Sequence, residues 1–227
     1  MRRGVQHADI RTMPRPERPF IARVVPSLIA TLVAGALALG VFAPAANAGV
    51  LVTSARDCPE QEFERPFLRW LDPANYVLVP KGTLETTSGW TLSRASRVAG
   101  NERFFVHGAD ERYSLSLPAR SSATTPTQCV GLAHPTLRFF ARTTGSVFSL
   151  LKVEVLFEDN LGLIKSLPIG AVASTSAWAP TLPMPVIANL LPLLPGELTP
   201  VRFRFTPVGL GAAWQIDDVY VDPFRAG

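Results

Sequence analysis

Cysteine, histidine and lysine are scarce in this chain of 227 residues: two, three and three of each. So few histidines cannot complete a zinc site, and Cys58 and Cys129 lack the close Cys-x-x-Cys spacing of a reactive thiol pair. No Gly-x-Ser-x-Gly elbow, His-Glu-x-x-His helix or phosphate-binding glycine loop occurs, which removes the common hydrolase and nucleotide chemistries. Lys81, Lys152 and Lys165 stand against many arginines, a mark of GC-rich coding rather than of function. Charge of one sign is missing as well. Setting aside the six arginines and two acids of residues 1–48, the 22 basic and 18 acidic residues become 16 of each. A neutral body offers no footprint for nucleic acid.

What is present begins with a targeting signal. Residues 28–42 are an uncharged apolar run, with arginines before it and Ala46-Asn47-Ala48 after it. Those three parts make a secretory signal peptide cleaved after Ala48, with translation starting at Met1 or at Met13. An uncleaved anchor is the alternative, because 19 largely apolar residues run from Val24 to Phe42. Pro26 and the cleavage site favour removal, leaving a secreted, extracellular chain of 179 residues with no membrane span. In an oxidising compartment the two cysteines read as one disulfide, Cys58 with Cys129, stapling an N-terminal arm to the body.

No helical stripe exceeds about ten residues, which excludes an α/β fold. The pattern has period two instead. Ser114-Leu115-Ser116-Leu117 alternate; Leu151, Val153, Val155 and Phe157 oppose Lys152, Glu154 and Glu158; Val201, Phe203 and Phe205 oppose Arg202 and Arg204. Leu137 and Phe139 fit the scheme against Arg138 and Phe140. Nine or so strands with Gly and Pro between them predict an all-β, antiparallel β-sandwich over residues 82–227. Residues 49–81, with Pro59, Pro66, Pro73 and Pro80 among Phe63, Phe67, Trp70 and Tyr76, read as an extended arm packed on that core. Residues 166–196 carry no charge and six prolines, too many for a spanning helix. They read as a long crossover loop over one end of the core, with one or two helical turns at residues 186–191. The competing reading is an exposed apolar patch for lipid, cell wall or a protein partner.

Gly82-Thr83-Leu84-Glu85 with Ser88-Gly89-Trp90, and the closing Trp214-Gln215-Ile216-Asp217-Asp218-Val219-Tyr220-Val221, resemble the first and last strands of galactose-binding-like jelly rolls. Several families of carbohydrate-binding modules of secreted glycoside hydrolases share that fold. Tyr113–Leu117 and Thr136–Arg142 sit about where it places inner strands. Leu84 stands where the usual opening has an aromatic residue. The mature chain also resembles a family of secreted bacterial proteins that brings a fold and no activity. The resemblance implies a structural Ca²⁺ held by Glu85 with Asp217 or Asp218; the alternative is that the aspartates cap strand ends or pair with arginines. Inward parity slips between Ile216 and Val219, which predicts a β-bulge at Asp217-Asp218.

Two functions follow. The first is a non-catalytic, monomeric module for a polysaccharide or cell-envelope glycan. Its ligand-binding candidates are Trp70, Tyr113, Trp178, Arg138, Arg202 and Arg204, with Trp90, Tyr76, Lys152 and Glu154 behind them. The second is a structural or interaction protein of the cell surface, using the 166–196 stretch. No catalysis is expected: His134 before Pro135 reads as an edge residue, and Glu154 with Glu158 as a solvated face rather than a glycosidase pair.

Overall fold

The computed structural model describes residues 61–131, 135–159, 161–186 and 198–222. The targeting segment 1–48, Cys58, His134 and residues 187–191 of the expected helical turns lie outside the described residues. Every described residue belongs to one unit, Ala46–Gly227.

Alternation in the chain becomes strands wherever it was legible, and short strands form where it was not. The first seven are β1 (Phe63–Glu64), β2 (Tyr76–Leu78), β3 (Thr91–Ser93), β4 (Ser96–Ala99), β5 (Tyr113–Leu117), β6 (Ser122–Thr124) and β7 (Gln128–Val130). Then come β8 (Thr136–Thr143), β9 (Leu150–Glu158), β10 (Ile164–Ala173), β11 (Ala179–Pro180), β12 (Met184–Pro185), β13 (Thr199–Val208) and β14 (Trp214–Asp222). Apart from a 3-10 turn at Leu68–Trp70, no helix occurs among the described residues, and none there is long and apolar enough to cross a membrane.

Two antiparallel sheets result. In the first, β14 runs beside β8 on one edge; its other edge takes β5 along Trp214–Ile216 and β2 along Tyr220–Val221. Strand β4 lies outside β5, β1 outside β2, and β11 and β12 outside β8. The second sheet is built the same way. Strand β13 pairs β9 on one edge and β6 and then β7 on the other, with β10 outside β9 and β3 outside β6. The chain crosses between the sheets at β2–β3, β3–β4, β5–β6, β7–β8, β8–β9, β10–β11, β12–β13 and β13–β14, as a jelly-roll sandwich does.

Between the sheets the predicted inward sets meet. Leu115, Leu117, Leu137, Phe139, Trp214 and Ile216 face Leu151, Val153, Val155, Val201, Phe203 and Phe205, all fully buried. Phe139 and Phe205 meet edge to face at 5.0 Å. The bulge is where parity placed it. Pairing of β14 with β8 shifts between Asp217 and Tyr220, Asp218 takes φ 46°, and Val219 and Val221 return to the core. The bulge also separates the stretch of β14 that pairs β5 from the stretch that pairs β2.

Three expectations change. The arm does more than pack, because β2 joins the first sheet. Residues 82–90, expected to open the sandwich as a strand, are turns. Here Gly82 touches backbone so closely that a Cβ would lie 2.6 Å from the Val219 oxygen, while Leu84 (φ 58°) is fully buried and the Trp90 indole N–H donates to the Lys81 carbonyl at 3.2 Å. Finally, residues 166–173 of the proline-rich stretch are not loop. They complete β10, an edge strand that tolerates Pro168 at a bulge before Gly170.

Candidate functional site

Side chains on the outer face of the first sheet form a second aromatic cluster. Alternation along β8 sends Arg138, Phe140 and Arg142 outward, and Phe67, Tyr76, Trp178 and Tyr220 close over Phe140. Phe67 stacks on Phe140 at 5.6 Å, and Trp70 meets Phe140 and Phe104 edge-on at 5.3 and 5.0 Å. Arg138 sits in this layer, 5% exposed. Its guanidinium lies 4.2 Å from the Phe67 centroid, donates to the Thr181 carbonyl at 2.8 Å and bonds the Asp72 carboxylate. Asp72 also accepts from the Tyr76 hydroxyl at 2.8 Å and the Ala74 N–H at 3.2 Å. Burial alone would raise the Asp72 carboxyl, but these donors outweigh it and hold the group below its usual range. Burial, then the neighbouring carboxylate, pushes the Tyr76 phenol up to about 12.

This ion pair lines a surface cavity of about 650 Å³, together with Trp70, Tyr76, Thr136, Leu182 and Asp222. Leu71 (94% exposed) and Leu182 (81%) stand at its rim. An aromatic ring, apolar walls and a few anchored polar groups are what a sugar-sized ligand needs from a concave site.

Of the six ligand-binding candidates, the structure brings Trp70 and Arg138 into one cavity, keeps Trp178 in the same outer-face cluster and places the other three elsewhere. Trp178 is buried on the same outer face under Arg142, 5.0 Å above its ring. Tyr113 lies at the start of β5 beneath the Arg97 guanidinium at 4.0 Å. Arg202 and Arg204 face out from the other sheet, because β13 belongs to that layer. Arg204 bonds Glu154 at 3.0 Å, Lys152 pairs with the same oxygen at 3.2 Å, and Arg202 donates to Thr127 at 3.1 Å. Burial tends to raise Glu154, yet its two cations hold it below the usual range. Glu154 is therefore buried under its cations rather than solvated.

A different set of acids gathers behind the bulge. Asp217 accepts from the backbone N–H of Glu102 at 2.8 Å and of Asp218 at 3.0 Å. Glu102, fully buried, takes the N–H groups of Phe104 and Val106. Glu85 takes those of Arg112 and Tyr113 at 2.6 and 2.9 Å. Asp218 and Glu111 are buried with both carboxylate oxygens unpartnered. Burial first, then neighbouring carboxylates, pushes Asp217 to about 9 and Asp218 to about 10; burial pushes Glu111 to about 7. Among the described residues no three acidic, histidine or cysteine side chains converge as a metal cage. Glu85, expected to join the aspartates, gives only Oε1 to those two backbone donors and acts electrostatically on Glu111. Asp218 and Glu111 carry buried unpartnered oxygens, and hard carboxylate oxygens suit Ca²⁺.

Sequence reading named Tyr76 among the aromatic candidates but missed Asp72, Glu102 and Glu111 as members of these groups. Asp72-Pro73 after Trp70 carried a turn signal, but nothing in the pattern links either glutamate, on an irregular loop, to Asp217.

No protein-family model matches the chain, and no curated protein is significantly similar to it. Among solved structures there are similar chains, at TM-scores below 0.5. The chain is similar to carbohydrate-binding modules. One is TmCBM61, solved with beta-1,4-galactotriose: 16% identity, TM-score 0.38, over 63% of this chain and 96% of that one. The CBM22-1–GH10 modules of Clostridium thermocellum endo-1,4-beta-D-xylanase 10B, solved with xylohexaose, give 15% identity and TM-score 0.45 over 66% and 29%. The active domain of bacteriophage CBA120 tailspike protein 4 gives 19% identity and TM-score 0.42 over 63% and 21%. The chain thus spans about a fifth of the tailspike domain and under a third of the xylanase fragment. Identities below 20% leave the functional argument to this chain's own side chains.

Proposed function

We propose that this protein is a secreted, non-catalytic module that binds a polysaccharide or cell-envelope glycan in the cavity around Trp70 and Arg138. The observation that carries this reading is the placing of the Trp70 ring and the Arg138–Asp72 ion pair in one cavity. Trp70 would support a sugar face; Asp72, Asp222 and Thr136 would meet hydroxyls. The pairing of Arg138 and Asp72 holds both planar groups still before a ligand arrives, which lowers the ordering cost of binding. A structural Ca²⁺ belongs to the proposal, with Glu85 and Asp217 or Asp218 as the residues that would hold it and Glu111 beside them.

Pull-down on insoluble polysaccharides and calorimetry with their oligosaccharides test it. Trp70→Ala should weaken binding about tenfold or more, the loss of one stacking contact and its buried area, and Trp70→Phe, which keeps a ring against Phe140 and Phe104, should weaken it less. Failure of the intact protein to bind any envelope or plant glycan would overturn the reading.

A second reading, protein contact at the cell surface, is favoured by one feature. A hollow of about 470 Å³ between β10 and the β11–β12 edge is lined wholly by uncharged residues, from Ile169 to Ala173 and from Ala179 to Pro185 among others. Cross-linking in secreting cells would capture such a partner.

A further inference from the structure

Two turns at one edge of the sandwich are locked together. Residues 144–149 join β8 to β9, and residues 209–213 join β13 to β14. Thr144 and Gly145 donate to the Ala213 carbonyl at 2.9 and 3.1 Å, and Ser146 donates to the Gly211 carbonyl at 2.9 Å. A Cβ on Gly145 would stand 2.3 Å from the Gly211 oxygen, so only glycine allows this approach. The Trp214 indole, in the core, donates to Ser149 Oγ at 3.1 Å and ties the pair to the body.

From this rigid base the chain presents apolar side chains to solvent. Phe148 is 93% exposed and Leu210 96%, with Val147 at 65% beside them. Leu150 and Val208, cross-strand partners at the foot of the turns, are each 45% exposed. Single exposed apolar residues are ordinary; five on two abutting turns are a patch. Leu210 and Val208 share a surface hollow of about 830 Å³ with Arg94 and Arg120, both exposed. The four stretches that build this surface, residues 91–96, 118–122, 143–150 and 206–213, contain no Asp or Glu.

A protein partner would bury about 800 Å² on each side against a matching surface, more than two narrow turns offer. A fluid interface needs no matching shape. It accepts protruding apolar tips and rewards a positive collar when the headgroups are anionic. We propose that this edge is a lipid-docking surface: Phe148 and Leu210 enter the interfacial layer of an anionic bilayer while Arg94 and Arg120 meet its phosphates. This inference is independent of the glycan reading and uses none of its residues.

The test is co-sedimentation of protein recovered from culture medium with vesicles of equal parts phosphatidylcholine and phosphatidylglycerol, and with phosphatidylcholine alone. Binding should favour the anionic vesicles and weaken with salt. Phe148→Ser with Leu210→Ser should reduce it at least about tenfold, since each buried side chain of this size contributes that much. Arg94→Ala and Arg120→Ala should cost about fivefold each. All four positions are exposed, so melting temperatures should not move. A Phe148→Trp variant gives a local readout, its added emission being quenched by doxyl-labelled lipid. Equal sedimentation of the serine double variant and the parent, no binding to either vesicle, or an added emission that doxyl lipid leaves unquenched would overturn the proposal. So would an apolar patch whose only effect is a concentration-dependent change in mass that the serine variant abolishes, which would mark a contact between copies of this chain.

Discussion

The backbone N–H of Glu102 donates to the Asp217 carboxylate at 2.8 Å, across 115 positions of sequence. Through this bond the loop between β4 and β5 brings Glu102 and Glu111 against the bulge of β14, where Asp217 and Asp218 already lie. Four carboxylates then share a buried space.

That crowding makes stability depend on pH. Unfolded carboxyls titrate near pH 4, whereas burial and mutual repulsion lift Glu111 to about 7, Asp217 to about 9 and Asp218 to about 10 in the folded chain. The folded state therefore binds more protons, so without a divalent cation stability from this group falls as pH rises from about 4 through those values. Asp218→Asn should stabilise the chelated protein at about pH 8 by about 1–3 kcal/mol, because the folded chain no longer has to take up a proton that the unfolded carboxylate lacks at that pH. Thermal unfolding in EDTA and in Ca²⁺ checks it. Added Ca²⁺ should raise the parent's melting temperature and leave the Asn variant's unmoved; no response in the parent would sink the calcium proposal.

Asp72 behaves oppositely. Its carboxyl is held below the usual value, so its stabilisation is full above about pH 4 and is lost as pH falls through the lowered folded value. Asp72→Asn leaves the Arg138 guanidinium without its counter-charge in a largely buried position. A loss of about 2–4 kcal/mol is expected near neutral pH, measured by urea unfolding, with the difference from the parent shrinking in acid.

Gly82→Ala should destabilise by about 1–3 kcal/mol, because the new methyl would meet the carbonyls of Val219 and Val79 at 2.6 and 2.8 Å. Neither backbone group can move away freely: Val219 exchanges hydrogen bonds with Gly82 and Val79. Chemical denaturation measures this, and an unchanged midpoint would contradict it.

The Gln61 side chain donates to the Cys129 carbonyl at 3.0 Å, which brings the chain three residues from Cys58 to the buried Cys129 of β7. Pairing of the two cysteines is the expected result, with no titratable thiol in protein from culture medium. Cys129→Ser should then cost about 4 kcal/mol, the loop entropy of so long a closure. Two free thiols per chain would refute it.

Strand parity was legible because alternation is local: Val201–Phe205, Leu151–Phe157 and the slip at Asp217-Asp218 needed only their own neighbours. Strands β1, β2, β11 and β12 escaped because two or three residues carry no period. The candidate site was half legible. Trp70 and Arg138 are of the right types, but outward parity alone cannot say that Arg138 and Arg204 leave from different sheets.

By itself, then, the sequence settled which side chains point together along each strand and where the closing strand bulges, since both are properties of consecutive residues. Only the tertiary structure decided which acids meet behind the bulge, which polar face acquires a cavity and which turns lock into one edge. Those are contacts between residues far apart in the chain, and backbone hydrogen bonds such as that from Glu102 to Asp217 choose them.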